Sequence, residues 1–517
     1  LAPFNLMPAM IIPMTAAVWL IDGTAESKSS AALRPAFRWT SLRNAFGIGW
    51  WWGFGYFVAG LWWLGAAFLV EPDDFAWALP LGVVALPAGL AFFPAVGFAV
   101  ARLFWAPGVS RILMLAAGLG MSEWLRGHIL SGFPWNPYGM ALGAHLVFAQ
   151  FAALGGLYSL NVLAIAIFAA PALIADHRLS RGKDARFAIP VGLGVALLAF
   201  VGLAAYGGLR LAAGHPGATS VKVRIMQPNL SQDVKYSAET RGQVLDRYLA
   251  LSDRSTGPGH TGLKDVNLLV WPESAFPFVL SREPQALAKI GNALPSGTIL
   301  VTGAARLDEA AHRDGQHAEF FNSIQVLSRG GLILDTYDKV HLVPFGEYLP
   351  FAAFFDKLRL RQFVDVPGGF ESGASHTMLT LPDLPLAVPL ICYEAIFPEE
   401  VANAVKVSTI RPGLLINVTN DAWFGRTFGP YQHLEQARLR AIEEGLPMVR
   451  AANTGISAII DPYGRIEARL GLEEEGILDG ILSQPIAPPP FTKAPWVIGF
   501  LSWVTALCAA FILRWLV

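Results

Sequence analysis

Seven stretches of this chain are apolar for about 20 residues, the length a helix needs to cross the hydrocarbon of a bilayer. They run over 3 to 21, 45 to 69, 77 to 101, 108 to 125, 152 to 175, 187 to 209 and 495 to 515. The fourth is the weakest, because Glu123 and Arg126 lie at its end. Trp50, Trp51, Trp52, Trp62 and Trp63 mark the second as a span with rings suited to the headgroup level. Only 15% of the 517 residues are charged, against about 25% in an ordinary soluble domain. The charges are also unevenly placed: residues 211 to 493 hold 25 Lys+Arg and 31 Asp+Glu, whereas residues 1 to 210 hold 12 and 8. One polar domain therefore lies between membrane helices. A single-domain cytosolic enzyme is excluded, and a polar block of net charge −6 with no basic stripe excludes a nucleic-acid partner.

Short loops rich in Lys and Arg stay on the cytoplasmic side. Lys28, Arg34, Arg38 and Arg43 fill the first loop, Arg102 and Arg111 bracket the third, and Arg178, Arg181, Lys183 and Arg186 fill the fifth. The loop at 71 to 75 has no basic residue, and the fourth has only Arg126. This alternation puts the polar block and Leu1 on the extracytoplasmic side. An outward start is unusual, so one further N-terminal helix is expected ahead of Leu1, for eight in all; a cleaved signal peptide is the alternative. The expected organisation is six spans within 1–210, a catalytic domain at 219–486 and a last span at 494–517.

Cys392 in the polar block and Cys508 in the last span are the two cysteines, and they cannot pair. A single thiol in an oxidising compartment is either buried and inert or present for its chemistry. No Cys/His spacing indicates a metal site. Runs at 221–226, 266–270, 298–302, 323–327, 331–336, 386–391, 414–418 and 456–460 read as strands, and helices are expected at 238–252, 284–293 and 431–445. The mixture predicts an α/β layered domain with helices covering its sheets.

Three of those strands end on reactive side chains. The run ending at Val270 leads into Trp271-Pro272-Glu273-Ser274, that ending at Thr336 into Lys339, and that ending at Ile391 into Cys392. A carboxylate, an ammonium and a thiol are what nucleophilic acyl transfer needs. The Glu would take the thiol's proton, the Lys would lower the thiol's pKa, and the Lys would then face the oxyanion that forms on the attacked carbonyl. Singly, each has a plainer reading: Cys392 as an inert core residue, Glu273 as a helix cap, Lys339 as a solvated side chain.

As a set, Glu273, Lys339 and Cys392 resemble the Glu-Lys-Cys triad of the nitrilase superfamily. The surrounding words WPES (271–274), HLVPFGEYLP (341–350), CYE (392–394) and NDAWFG (420–425), with EWLRG (123–127) and GFPW (132–135) in the membrane part, are similar to its integral-membrane branch, the apolipoprotein N-acyltransferases. The resemblance implies a polytopic α-helical membrane domain joined to an extracytoplasmic nitrilase-like α-β-β-α sandwich. It implies a ping-pong reaction without cofactor at the periplasmic face of the bacterial inner membrane, catalysed by a monomer. In it, Cys392 takes the sn-1 acyl chain of a phospholipid such as phosphatidylethanolamine as a thioester. The chain then passes to the α-amino group of the N-terminal diacylglyceryl-cysteine of an apolipoprotein. Glu273 is the implied base, Lys339 stabilises the tetrahedral intermediates, and Glu347 orients Lys339. Tyr393 and Glu394 flank the nucleophile and Asn322 supports it. Tyr236, Trp423 and Phe424 are implied substrate contacts, and Arg126 and Trp135 are implied to handle the lipid headgroup or the site entrance; Tyr236 stands where the family often has Trp.

Two other readings use the same residues differently: a membrane-tethered amidase that passes the acyl group to water, and a transporter or receptor whose outer domain only binds. The scarcity of ionisable residues within the spans counts against the latter. His341 is expected to be a structural hydrogen-bonder. Glu435, Arg438, Arg440, Glu443 and Glu444 are expected to form a solvated or interface helix face with i,i+4 pairs. Segments 276–280, 345–355 and 422–428 are candidate loops of an apolar portal, or core.

Overall fold

The computed structural model describes residues 2–24, 36–175, 183–231, 241–257, 262–308, 319–350, 369–406 and 410–516. It divides into two compact units, one of residues 1–214 with 489–517 and the other of residues 215–488.

The first unit is helical. Among the described residues, five helices are long and apolar enough to cross a membrane: Trp39–Leu69, Pro72–Leu103, Ala152–Ala175, Pro190–Ala212 and Pro495–Arg514. They turn large apolar side chains outward, as lipid-facing helices do; Leu198 is 76% and Leu209 75% exposed. Two expected spans come out differently. The first apolar run folds as a shorter helix, Met7–Asp22. The fourth forms the helix Val109–His128, which buries Arg111, Glu123 and Arg126 along with its apolar residues. Its charge is neutralised internally: Arg126 Nη2 lies 2.5 Å from Glu123 Oε2. Arg126 Nη1 donates to the carbonyl oxygens of Trp135, at 2.9 Å, and of Phe133. The guanidinium also stands 5.2 Å from the centre of the Phe57 ring. In hydrocarbon an unsatisfied polar group costs several kcal/mol, roughly, and these contacts satisfy the guanidinium inside the unit.

The second unit is a four-layer α-β-β-α sandwich. Its strands are β1 (Ala218–Gln227), β2 (Leu268–Val270), β3 (Ile299–Asp308), β4 (Glu319–Ser328), β5 (Leu332–Asp338), β6 (Ala387–Ile391), β7 (Leu414–Thr419), β8 (Met448–Ala452), β9 (Ala458–Ile460), β10 (Ile466–Arg469) and β11 (Gly476–Ser483). One sheet has the order β11-β1-β2-β3-β4-β5 and the other β10-β9-β8-β7-β6. β1, β2 and β3 are parallel, as are β6, β7 and β8. Strands covered on both faces read as continuous β-branched runs rather than as alternations, and β6 and β7 are buried at every position. Between the sheets lie Val223, Ile225, Val270, Val301, Ile324, Ile416, Val418 and Val449. Outside the first sheet, Tyr248, Trp271, Ile290 and Leu300 join it to the helices Arg241–Ser252 and Pro284–Ala293. Outside the second, Val401, Leu434, Ala437 and Ala441 join it to Glu400–Lys406 and Gly429–Glu444.

Three strands are additions to the expected set. Arg450 interrupts the apolar run of β8, β10 alternates half-buried with exposed residues, and β11 carries glycines and an aspartate. The helix Gly429–Glu444 also corrects an expectation. Arg440 and Glu443 are fully buried, Arg438 and Glu444 nearly so, and the pairs are i,i+3 (Glu435–Arg438 and Arg440–Glu443), so this is not a solvated face.

Candidate active site

Parallel strands deliver their following residues to one edge of a sheet, where crevices form. Here Val270 of β2 is followed by Trp271-Pro272-Glu273, Asp338 of β5 by Lys339, Ile391 of β6 by Cys392, and Thr419 of β7 by Asn420. The Trp271–Ser274 turn lies directly against β3. A Cβ on Gly303 would come 2.5 Å from Glu273 Cα and 2.7 Å from Ser274 N, so only glycine lets the turn approach.

Glu273, Lys339, Glu347 and Asn322 form one buried array. Lys339 Nζ lies 2.9 Å from Glu347 Oε1 and 2.8 Å from Oε2, and 3.8 Å from Glu273 Oε1. Asn322 Nδ2 donates to Glu273 Oε1 at 2.8 Å and to Glu347 Oε1 at 2.6 Å. The backbone N–H of Asn420 donates to Glu273 Oε2 at 2.8 Å. Glu347 is pinned in turn by the Val343 N–H at 2.8 Å, within the 341–350 segment. Burial alone would lower the Lys339 pKa; Glu347, Glu273 and Cys392 outweigh it and leave the ammonium well above its ordinary value. Lys339 is thus a permanent cation.

Cys392 has φ +48° and opens a short 3-10 helix, Cys392–Ile396. A non-glycine residue in the left-handed region is strained and has to be held by its surroundings. Glu394 is one clamp: its Oε2 accepts from the Ile391 N–H at 2.7 Å, and its Oε1 accepts from the Val340 N–H at 2.9 Å and the Tyr337 hydroxyl at 2.7 Å. The same carboxylate therefore fastens the segment after Lys339 to the segment around Cys392. Burial, then Glu273, push the Cys392 thiol far above its ordinary value, against the pull of Lys339. Lys339 does lower it, as expected, but burial and Glu273 outweigh that pull, so a base is needed to remove the proton as the substrate reacts.

Tyr393 is buried and packs edge-on against His341 (5.6 Å between centroids) and Phe397 (5.1 Å). His341 is a hydrogen-bonder: its Nδ1 is 2.9 Å from Glu400 Oε1, and its ring stacks on Phe397 at 3.8 Å. Trp423 and Phe424, in the turn after Asn420, are half-buried. Tyr236 lies outside the described residues. Arg126 and Trp135 belong to the helical unit and are 1% and 2% exposed; the Arg126 guanidinium is paired with Glu123 and donates to two carbonyls. Of the candidate portal segments, 276–280 is core, since Phe276 and Leu280 pack under the first sheet. Phe345 is 44% exposed, and 351–355 lies outside the described residues.

Sequence reasoning passed over three buried residues. Asp421 Oδ1 is 2.9 Å from His433 Nδ1 and its Oδ2 2.9 Å from Arg450 Nη2. His433 Nε2 is 3.0 Å from the carbonyl oxygen of Cys392. Asp421 stood within a quoted motif, but nothing local signalled His433 or Arg450. Ligand atoms of Cys392, Asp421 and His433 lie within 4.8 Å of one another, as around a metal. Arg450, however, already neutralises Asp421.

The chain's relatives agree with one another. Residues 222–485 match the carbon-nitrogen hydrolase family model, and residues 1–170 match that of the apolipoprotein N-acyltransferase N-terminal domain. A Rhodopseudomonas palustris protein named apolipoprotein N-acyltransferase is 50% identical over 493 residues, which is 95% of this chain and 88% of the relative. The chain belongs to the apolipoprotein N-acyltransferase family. Members with the same name from Bradyrhizobium diazoefficiens (50% identical, 95% of this chain and 88% of the relative) and Brucella suis (43%, 98% and 92%) are similarly close. As a member of the apolipoprotein N-acyltransferase family, the chain is an acyltransferase and a multi-pass membrane protein with a nitrilase-like α/β domain.

Proposed function

We propose that this acyltransferase moves the sn-1 acyl chain of a phospholipid, phosphatidylethanolamine for preference, to the α-amino group of the N-terminal diacylglyceryl-cysteine of apolipoproteins. The transfer passes through a thioester on Cys392. The observation that carries the reading is the array itself: a strained, half-buried Cys392 within electrostatic reach of a buried carboxylate held by two donors and a buried ammonium held by a second carboxylate.

In the first half-reaction Glu273 takes the thiol proton as Sγ adds to the ester carbonyl. Lys339 faces the resulting oxyanion, and because Glu347 fixes it beforehand, little reorganisation is needed when the charge develops. Collapse breaks the ester C–O bond, and the proton on Glu273 goes to the departing lysophospholipid oxygen. In the second half-reaction the acceptor amine adds to the thioester carbonyl and gives a proton to Glu273. Cys392 Sγ leaves and is reprotonated, and an amide results. Tyr393 and Glu394 hold the nucleophile segment. Trp423, Phe424 and Tyr236 offer apolar surface to the acyl chain, and Arg126 with Trp135 braces the membrane unit. The basic loops support an inner-membrane protein with its catalytic domain facing the periplasm. Every group the chemistry needs comes from one chain, which supports a monomer.

The test is the intact mass of purified protein incubated with phosphatidylethanolamine and no acceptor. A hydroxylamine-labile acyl adduct on the wild type, absent from Cys392→Ala, is expected. Free fatty acid without an adduct would shift the reading to a hydrolase.

A further inference from the structure

We infer that His433 is a positioning residue, pegging the carbonyl of Cys392 to a buried Asp421–Arg450 ion pair and so fixing the nucleophile relative to its base. The inference rests on the reading of Cys392 as nucleophile and Glu273 as base.

Four elements meet at the peg. Cys392 follows β6, Asp421 follows β7, Arg450 lies in β8 and His433 lies near the start of the helix Gly429–Glu444. His433, Arg450 and Asp421 are all at most 1% exposed. Arg450 is itself fixed, by Nε to the Ile456 carbonyl at 3.2 Å and by Nη1 to Asn417 Oδ1. Asn417 in turn donates to the Leu390 carbonyl at 2.8 Å, one strand over and two residues before the nucleophile. The ion pair is thus an anchor tied into three parallel strands. A Cβ on Gly455 would meet Asp421 Oδ2 at 2.2 Å, so the 453–457 loop closes on the same carboxylate.

The protonation pattern follows from the partners. A carbonyl oxygen only accepts, so Nε2 must carry a proton toward Cys392 whether the ring is neutral or charged. Burial and Arg450 push the ring's pKa below its ordinary value, against Asp421. On the other side Nδ1 faces Asp421 Oδ1 at 2.9 Å and Arg450 Nη2 at 3.3 Å. Through the Asp421 loop the peg reaches the base as well, because the adjacent Asn420 N–H binds Glu273 Oε2 at 2.8 Å. One histidine therefore sets the nucleophile's strained carbonyl and the loop that aims the base against a common anchor. A displacement of about 1 Å between reacting groups can cost on the order of 100-fold in rate.

The test compares two amides that each keep half of the imidazole. Gln places its donor near the position of Nε2 and can hold the Cys392 carbonyl; Asn reaches Asp421 but falls short of that carbonyl. Single-turnover thioester formation from phosphatidylethanolamine is measured on the full-length protein in detergent, with KM for the lipid and melting temperature alongside. His433→Asn is expected to slow acylation on the order of 10- to 100-fold with KM unchanged, and His433→Gln to retain most of the rate at an equal melting temperature. Equal rates for the two variants, or wild-type acylation in His433→Asn, would overturn the inference. Should His433→Asn not accumulate, loss of acylation in folded His433→Gln would overturn it equally. Acyl transfer surviving in Cys392→Ala would instead sink the nucleophile reading itself, whatever His433 does.

Discussion

Lys339 holds both oxygens of Glu347, at 2.9 and 2.8 Å, while Glu273 stands farther off at 3.8 Å. The ammonium is thus anchored by Glu347, and in the proposed mechanism this leaves Glu273 to exchange its proton. Glu347→Gln should let Lys339 swing onto Glu273 and neutralise the base. Acylation should fall by on the order of 100-fold, and removing one partner of a buried pair should cost about 3–5 kcal/mol of stability. Thioester formation and thermal melting of the variant check both; a near-wild-type rate would contradict the anchoring role.

The thiol's charge state gives two effects of opposite sign. Burial, followed by Glu273, holds Cys392 protonated. In a Cys508→Ala background its alkylation by iodoacetamide should stay slower than that of a free cysteine, whose pKa is about 8.5. Glu273→Gln removes the negative charge, so alkylation should speed up while acyl transfer is lost. Alkylation slowed by Glu273→Gln would mean that the carboxylate does not repel the thiolate.

Glu123 and Arg126 form a closed pair in the membrane unit. Glu123→Gln or Arg126→Leu alone strands a buried charge and should lower stability in detergent by about 3–5 kcal/mol. The double change Glu123→Leu/Arg126→Leu should lose less than the sum, because the cost lies in the orphaned charge. Additive losses would show that the two do not act as a pair.

Glu444 is buried, and burial lifts its pKa from 4.5 to about 7 against Arg440 and Arg411. Between those values the folded protein holds a proton that the unfolded chain has lost, so its contribution is complete below about 4.5 and is lost as pH rises through about 7. The wild type should therefore lose roughly 3 kcal/mol relative to Glu444→Gln as pH rises through that window, read as a difference in melting temperature. A pH-independent difference would place the ionised form in a compensated environment.

The chain itself determined a good deal. Apolar runs of spanning length separated a helical unit from an α/β unit, because length and hydropathy are local properties. The strands before Glu273 and Cys392 were legible for a related reason: a strand buried on both faces is a continuous apolar run, and its end is where a polar residue can appear. The words around them supplied Glu347 and Glu394, and the family resemblance supplied Asn322. What covers a residue was not legible. Arg440 and Glu443 look solvated on a helical wheel, yet both are fully buried. The fourth apolar run hid its ion pair because Glu123 and Arg126 look like the end of a span until Trp135 and Phe57 close around them. Arg450 broke the run that would have announced β8, and His433 meets the Cys392 carbonyl across 41 residues of sequence. Local pattern follows from backbone geometry and apolar spacing. The charge state of the thiol, the partners of Lys339 and Arg450 and the peg under the nucleophile depend on desolvation and on contacts between distant segments, which exist only once the α/β unit has packed.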